Sequence, residues 1–281
     1  MKESAIPFFC DGQNLLGILH QPTNEVDDIG VLVVVGGPQY RVGSHRQFVQ
    51  LARFLANNNI ACFRFDYTGM GDSAGIKKTF DNVGPDIRSA IDVFIEQANI
   101  KQVVLWALCD GASAALIYAP TDERVKAVML LNPWLESPQA KAKTMLKHYY
   151  LNRLVSKSFW TKLVSGQFKA YKSLKAFLGY AAHQHHQTPN EQSNQSYQAR
   201  MIDGYLNFSG SSCFVLSGDD LTAREFEQVI NSNSAKHQFY AHDNLIHRIK
   251  DADHTFSQRL WKREVEVLTV DFVKQLEIIS G

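Results

Sequence analysis

Five short apolar runs constrain this 281-residue chain more than any other feature of its sequence. "VLVVV" (31–35), "VVLW" (103–106), "AVMLL" (127–131) and "CFVLS" (213–217) are near-continuous, and "ACFRFD" (61–66) is similar but carries Arg64. Unbroken apolar runs of this length are what parallel strands covered on both faces require. Helical periodicities lie between them. Phe48, Leu51, Ala52 and Leu55 share one face, as do Ile87, Ala90, Ile91, Phe94 and Ile95, and Trp261, Val265, Leu268, Phe272 and Leu276 form a third stripe. The β-α-β-α-β order predicts an α/β fold with a mostly parallel, doubly wound sheet, whose binding sites gather at the carboxyl ends of its strands. "SAIPFFCDGQNLLGILHQP" reads as a hairpin at the sheet edge.

The rhythm breaks after Trp134. Residues 135–211 hold helical segments and the polar stretch "HQHHQTPNEQSNQSYQ" before strand character returns. The expected organisation is therefore a core of 1–134 and 212–281 with a helical cap inserted at 135–211. The net charge of +1 hides an asymmetry within that insertion. Between Lys141 and Lys175 lie nine of the 29 basic residues and no Asp or Glu, leaving 20 basic against all 28 acidic residues elsewhere. Such a block suits an anionic acyl substrate, free or carrier-bound, or a peripheral contact with an anionic membrane surface. Tyr149, Tyr150, Phe159 and Trp160 within it can anchor at an interface or line an acyl pocket, and a solvated helix face with inward aromatics is the ordinary reading.

Composition excludes several classes. No basic segment followed by a long apolar run opens the chain, so no signal peptide is expected, and no apolar run approaches the roughly 18 residues that span a bilayer. Cys10, Cys62, Cys109 and Cys213 show no C-x-x-C and no close pairing, which fits a reduced, cytoplasmic setting without a disulfide framework or structural zinc. His183, His185 and His186 lie in Gln/Asn/Ser-rich surroundings without a carboxylate partner, so no metal or other cofactor is expected. An acidic body with no recognisable module argues against nucleic-acid binding.

The chemistry-bearing motifs follow the strands. "VVLWALCDGASAAL" (103–116) is a strand turning abruptly into a helix, with Ala107-Leu108-Cys109-Asp110-Gly111 at the turn. A sharp turn of this kind lifts its central side chain above the sheet, and small neighbours relieve the strained backbone. The helix N-terminus favours a thiolate at Cys109, whereas a nearby Asp110 carboxylate opposes it. "VVVGGPQ" ends another strand in Gly36-Gly37-Pro38. Pro38 has no N–H, so Gly37 is the expected donor to an oxyanion, together with the amide of Asp110. "VLSGDDLTAREF" places Asp220 after the late strand as the candidate acid; Asp219 is read as a helix cap, and Glu136 is a more remote alternative acid. His254 in "LIHRIKDADHTFS" follows the last strand and is the candidate base, whereas His247 lies within that strand and His242 precedes it. Arg41, His45 and Trp134 are candidate substrate contacts. A structural cysteine, a glycine turn and a surface histidine are the ordinary readings of these motifs taken singly.

Taken together, these features resemble the α/β-hydrolase superfamily, which places nucleophile, acid and base in the order Cys109, Asp220, His254. "FRFDYTGMGDSAG" (63–75) is similar to its D-x-x-G-x-G-x-S segment, matched by Asp66, Gly69, Gly71 and Ser73. More narrowly, "VVVGGPQYRVGSHRQF", "LWALCDGASAA", "LKHYYLNRL" and "LSGDDLTAREF" resemble the exosortase A system-associated hydrolase 1 family. That resemblance implies a Cys-His-Asp hydrolase of a Gram-negative bacterium that makes exopolysaccharide. The elbow cysteine is also similar to dienelactone hydrolases, from which the cap and surrounding strings differ. Ester or thioester hydrolysis through an acyl-enzyme is the expected reaction. Acyl transfer on the same triad, or a non-catalytic binding role on the same fold, are the alternatives.

Overall fold

Every apolar run becomes a strand of one eight-stranded sheet in the computed structural model, which describes residues 1–24, 26–37, 39–135, 195–231 and 244–280. The strands are β1 (Lys2–Cys10), β2 (Gln13–Gln21), β3 (Ile29–Val34), β4 (Cys62–Phe65), β5 (Gln102–Leu108), β6 (Val125–Leu131), β7 (Ser211–Ser217) and β8 (Asn244–Ile249). Their order is β1-β2-β4-β3-β5-β6-β7-β8. β1 and β2 form the expected antiparallel hairpin, turning at Asp11 and Gly12 with positive φ at both residues, the backbone that such a tight turn needs. β2 joins β4 antiparallel, and β3 through β8 are parallel.

Because β4 lies on one side of β3 and β5 on the other, the winding reverses at β3. Sites in such sheets form beyond the carboxyl ends of the strands at that reversal. Val31, Leu32, Val33 and Val34 are completely buried there, as are Val103, Val104 and Leu105 of β5. Arg64 of β4 is buried too, but it is satisfied: its Nε donates to His20 Nε2 at 3.0 Å, and its guanidinium also donates to the Arg41 carbonyl.

The described helices are α1 (Gln47–Ala56), α2 (Gly84–Ala98), α3 (Asp110–Tyr118), α4 (Tyr197–Asn207), α5 (Leu221–Ile230) and α6 (Arg259–Ser280). The faces expected from periodicity are the buried ones: Phe48, Leu51, Ala52 and Leu55 on α1, Ile87, Ala90, Ile91 and Phe94 on α2, and Val265, Phe272 and Leu276 on α6.

The chain divides into two units, Met1–Ser137 with Tyr197–Gly281, and Pro138–Ser196. The insertion expected at 135–211 therefore includes α4, which belongs to the sheet unit. The physical reason is close helix packing: a Cβ on Gly204 of α4 would lie 2.2 Å from the Leu116 carbonyl of α3. The basic block 141–175, its aromatics Tyr149, Tyr150, Phe159 and Trp160, and Glu136, His183, His185, His186 and His242 lie outside the described residues. Among the described residues no helix is long and apolar enough to cross a membrane.

Candidate active site

Cys109 sits between β5 and α3 with φ 60° and ψ −127°, a conformation that costs a non-glycine residue about 1–3 kcal/mol. The surrounding structure enforces it. The Cys109 amide donates to Leu131 O at 2.9 Å, and its carbonyl accepts from Trp134 N at 3.2 Å. Gly111 makes the turn possible, since a Cβ there would lie 2.7 Å from Val34 O and 2.9 Å from Gly36 N. Ala107, where a first glycine is usual, is fully buried without displacing the strand. All four cysteines are free. Cys10, Cys62 and Cys213 are buried, and burial pushes each thiol up to about 12, in Cys10 with help from the Asp86 carboxylate. Cys109 alone is part-exposed.

Asp220 and His254 arrive from different strand ends. Asp220 follows β7, where the turn requires Gly218, because a Cβ there would lie 1.6 Å from the Lys250 carbonyl. The Asp220 carboxylate accepts from Ala223 N at 3.0 Å, capping α5, and meets His254 Nδ1 at 2.9 Å through the same oxygen. The cap expected of Asp219 is thus made by Asp220, and Asp219 is exposed, with Arg224 at 3.6 Å. The Cys109 side chain lies beside the same imidazole and acts on its charge. Asp220 first and Cys109 second raise the imidazole to about 10, against burial, which lowers it. The structure therefore brings Cys109, His254 and Asp220 together, with the imidazole bonded to Asp220 and beside Cys109. His247 stays on β8.

Asn132, which sequence reasoning missed, holds the base in place. Its Nδ2 donates to Ser217 Oγ at 2.8 Å and to the His254 carbonyl at 2.9 Å, and its Oδ1 accepts from Ser217 N at 2.8 Å. Ser217 Oγ donates in turn to the Asp253 carbonyl at 2.8 Å. A fully buried Asn at positive φ directly after β6 was the available signal, since Asn tolerates that backbone and can cross-link strand ends.

The Gly37 amide, an expected oxyanion donor, is already occupied. Gly37 N–H donates to Asp110 Oδ1, and the amides of Gly111 and of Asp110 itself lie near enough to the same carboxyl to favour its charge. Burial raises the Asp110 carboxyl, and these amides oppose the rise. The Gly37 amide assigned to an oxyanion is thus engaged by a side chain of the elbow. Pro38 lies outside the described residues.

Arg41 is not presented to a substrate. Its amide donates to Asp66 Oδ1 at 2.7 Å, and its guanidinium is ion-paired with Asp66 and Asp72. The segment resembling D-x-x-G-x-G-x-S is the other half of this clamp. Asp72 N donates to Asp66 Oδ2 at 3.0 Å, Ser73 Oγ donates to the Asp66 carbonyl at 2.8 Å, and a Cβ on Gly71 would meet the Asp66 carboxylate at 2.2 Å. The loop after β3 is thereby tied to the loop after β4. His45 is exposed with left-handed backbone, close enough to Asp253 to interact with its charge, and its carbonyl accepts from Lys262 Nζ at 3.4 Å.

Trp134 is half-buried in an aromatic group of three. It stacks on Tyr197 at 5.4 Å and 20° and meets Phe80 edge-on at 5.4 Å, and Phe80 meets Tyr197 edge-on at 5.1 Å. Ser113 Oγ donates to the Trp134 carbonyl at 2.6 Å, which fixes this wall beside the start of α3. Phe80 and Tyr197 were missed because nothing in a sequence pairs residues from three separate segments.

A cavity of about 910 Å³ lies at the opposite ends of β5–β7, lined among others by Arg88, Asp122, Arg124, Asn207 and Ser211. It holds none of the candidate catalytic residues, and Arg124 within it is consumed by Asp122 and Asp92. Among the described residues no group of three His, Cys, Asp or Glu side chains is placed to hold a metal ion.

A family model described as "Serine aminopeptidase, S33" matches residues 30–208, a range that includes Cys109, Asp110 and the loop after β3. The chain is similar to the polyketide transferase GrgF of Penicillium sp., 26% identical over 109 residues, so it spans only 37% of that relative's length in sequence. In structure it is similar to α/β hydrolase GrgF from Penicillium sp. sh18 (TM-score 0.63, 17% identity, 99% of this chain and 98% of the other). It is likewise similar to esterase Pf2001 of Pyrococcus furiosus (0.65, 13%, 98% and 93%) and to Est1E of Butyrivibrio proteoclasticus, solved with ferulic acid (0.64, 13%, 99% and 100%). Identities this low speak to the fold alone.

Proposed function

The chain belongs to the serine aminopeptidase S33 family and has the α/β-hydrolase fold, and from that premise we propose that it cleaves an ester or thioester through an acyl-enzyme on Cys109. The family is named for a serine; this chain carries a thiol at the elbow. One observation carries the reading: the His254 ring is held by Asp220 at 2.9 Å with the Cys109 side chain acting on the same imidazole, beside a backbone strained as a nucleophile elbow requires.

In the first half-reaction the proton shared between Cys109 and His254 rests on the imidazole as Cys109 Sγ bonds the acyl carbon, and His254 then passes it to the departing alcohol or thiol. In the second, His254 removes a proton from water, whose oxygen bonds the acyl carbon, and that proton restores the Cys109–His254 pair as the C–S bond breaks and the acid leaves. Asp220 holds the imidazole and stabilises its charged form. Amides are poorer substrates in this scheme, because the thiolate departs from the tetrahedral adduct more readily than an amine. The test is intact-mass detection of an acyl adduct on Cys109 across a panel of acyl esters and thioesters. Turnover by Cys109→Ala close to that of the unaltered protein would exclude the mechanism.

A second reading is supported by the GrgF relative, a polyketide transferase by name: an acceptor hydroxyl replaces water in the second half-reaction. Product analysis with and without a nucleophilic acceptor separates the two. An exosortase-linked, exopolysaccharide-making, cytoplasmic setting and an anionic partner for the basic block 141–175 are further parts of the proposal, resting on sequence strings and charge alone.

A further inference from the structure

We propose that the Asp110 carboxylate is an internal occupant of the oxyanion seat, and that the substrate's carbonyl oxygen displaces it toward the Tyr67 hydroxyl. This rests on the acyl-enzyme reading and specifies the step that reading leaves open. An oxyanion beside Cys109 needs main-chain donors on the loop after β3 and at the start of α3. In the structure a carboxyl oxygen already sits there: Asp110 Oδ1 takes the Gly37 amide, and the amides of Gly111 and Asp110 lie beside the same carboxyl. The seat is shaped around it, since a Cβ on Gly36 would lie 2.5 Å from Asp110 Oδ1. Two negative oxygens cannot share these donors in a site removed from water.

A place for the displaced carboxyl is present. The Tyr67 side chain is buried, its hydroxyl has no hydrogen-bond partner among the described residues, and the phenol lies close enough to Asp110 to feel its charge. A buried O–H without an acceptor is rare and costly, so an acceptor moving toward it gains what the amides give up. The carboxylate thus excludes water and stray anions from the donors until a carbonyl compound arrives.

The probe is hexanal, whose carbonyl carbon accepts the Cys109 sulfur to form a hemithioacetal, with the thiol proton passing to the new oxygen and no change of oxidation state. The aldehyde oxygen needs the same amides as an oxyanion. Hexanal affinity is read by inhibition of ester turnover, and by intact mass where turnover is low. Alkylation of Cys109 by iodoacetamide serves as the control for thiol reactivity, since it needs no oxyanion seat. Asp110→Ala is expected to tighten hexanal about tenfold, and Asp110→Asn, which keeps the shape without the charge, by a smaller factor. Tyr67→Phe is expected to weaken hexanal in the unaltered background and to have no effect in the Asp110→Ala background. Unchanged or weaker hexanal binding in both Asp110 variants overturns the inference, as does a Tyr67→Phe effect that persists without Asp110. Failure of Cys109 to form any adduct in the unaltered protein instead overturns the acyl-enzyme reading itself.

Discussion

Nδ1 of His254 lies 2.9 Å from the same Asp220 oxygen that caps helix α5. One carboxylate therefore fixes both the angle of the imidazole and the first turn of the helix behind it. Asp220→Asn separates these duties, because Asn caps helices as well as Asp does but carries no charge. Turnover of a responsive ester is expected to fall by about 10²- to 10⁴-fold, while far-UV helicity is unchanged.

The same pair sets an alkaline stability limit. The folded-state pKa of His254 is raised to about 10, first by Asp220 and then by Cys109. A histidine raised above its unfolded value near 6.5 contributes stability that is complete below that pH and is lost as pH climbs through the folded value. Melting temperature is therefore expected to decline between about pH 6.5 and 10, and Asp220→Asn is expected to flatten that decline. An equally steep alkaline arm in the variant would assign the loss to other groups.

Asn132 offers a test of how the base is held. Asn132→Ala strips partners from the Ser217 amide and the His254 carbonyl, both in the interior. The expected cost is about 1–3 kcal/mol in denaturant unfolding, since buried polar groups are left unmatched. Turnover is also expected to drop while alkylation of Cys109 persists, because the thiol is untouched and only the loop bearing His254 loosens.

Much of the fold was legible because its strands are buried on both faces and so appear as unbroken apolar runs, and because α1, α2 and α6 each bury a single stripe. The positions of Cys109 and Asp220 were legible for the same reason, each following directly on such a run. What was not legible concerns where polar side chains end. Arg41 next to the glycine loop reads as a free cation, yet Asp66 and Asp72 consume it from a segment some 25 residues on. The Gly37 amide reads as an open donor, yet the carboxyl of Asp110 fills it from 73 residues away in sequence. Long-range hydrogen bonds have no period, so no pattern announces them. The extent of the insertion was misplaced at α4 for a related reason: its contact with α3 depends on the single glycine at 204.

Gly111 tests the elbow itself. A methyl group there meets backbone atoms of Val34 and Gly36 at 2.7 and 2.9 Å, and backbone cannot rotate away as a side chain does. Gly111→Ala is expected to destabilise the protein by about 1–3 kcal/mol through overpacking, and to lower turnover further than stability alone explains, because the loop bearing Gly37 must shift. A melting temperature equal to that of the unaltered protein would show that the loop after β3 is not held against α3 as the structure has it.

The acid limb belongs to a different histidine. His20 on β2 is fully buried, and its Nε2 accepts from Arg64 Nε at 3.0 Å, so the ring is neutral with its proton on Nδ1, 3.6 Å from Glu3. Burial first, and the Arg64 charge second, lower His20 to about 4. Here the sign is opposite to that of His254. Above the unfolded value near 6.5 the ring is neutral in both states and costs nothing, but between 6.5 and 4 the unfolded chain takes up a proton that the folded chain refuses. Stability is therefore expected to fall as pH drops through that window. His20→Gln keeps an oxygen acceptor for Arg64 and cannot titrate, so its melting temperature should change less between pH 6.5 and 4 while its alkaline arm, set by His254, stays that of the unaltered protein. If the acid arm keeps its slope in His20→Gln, the buried ring is not what the proton attacks, and the Asp122 carboxylate, lowered against burial to about 2 by Arg124 and Tyr118, becomes the group to test.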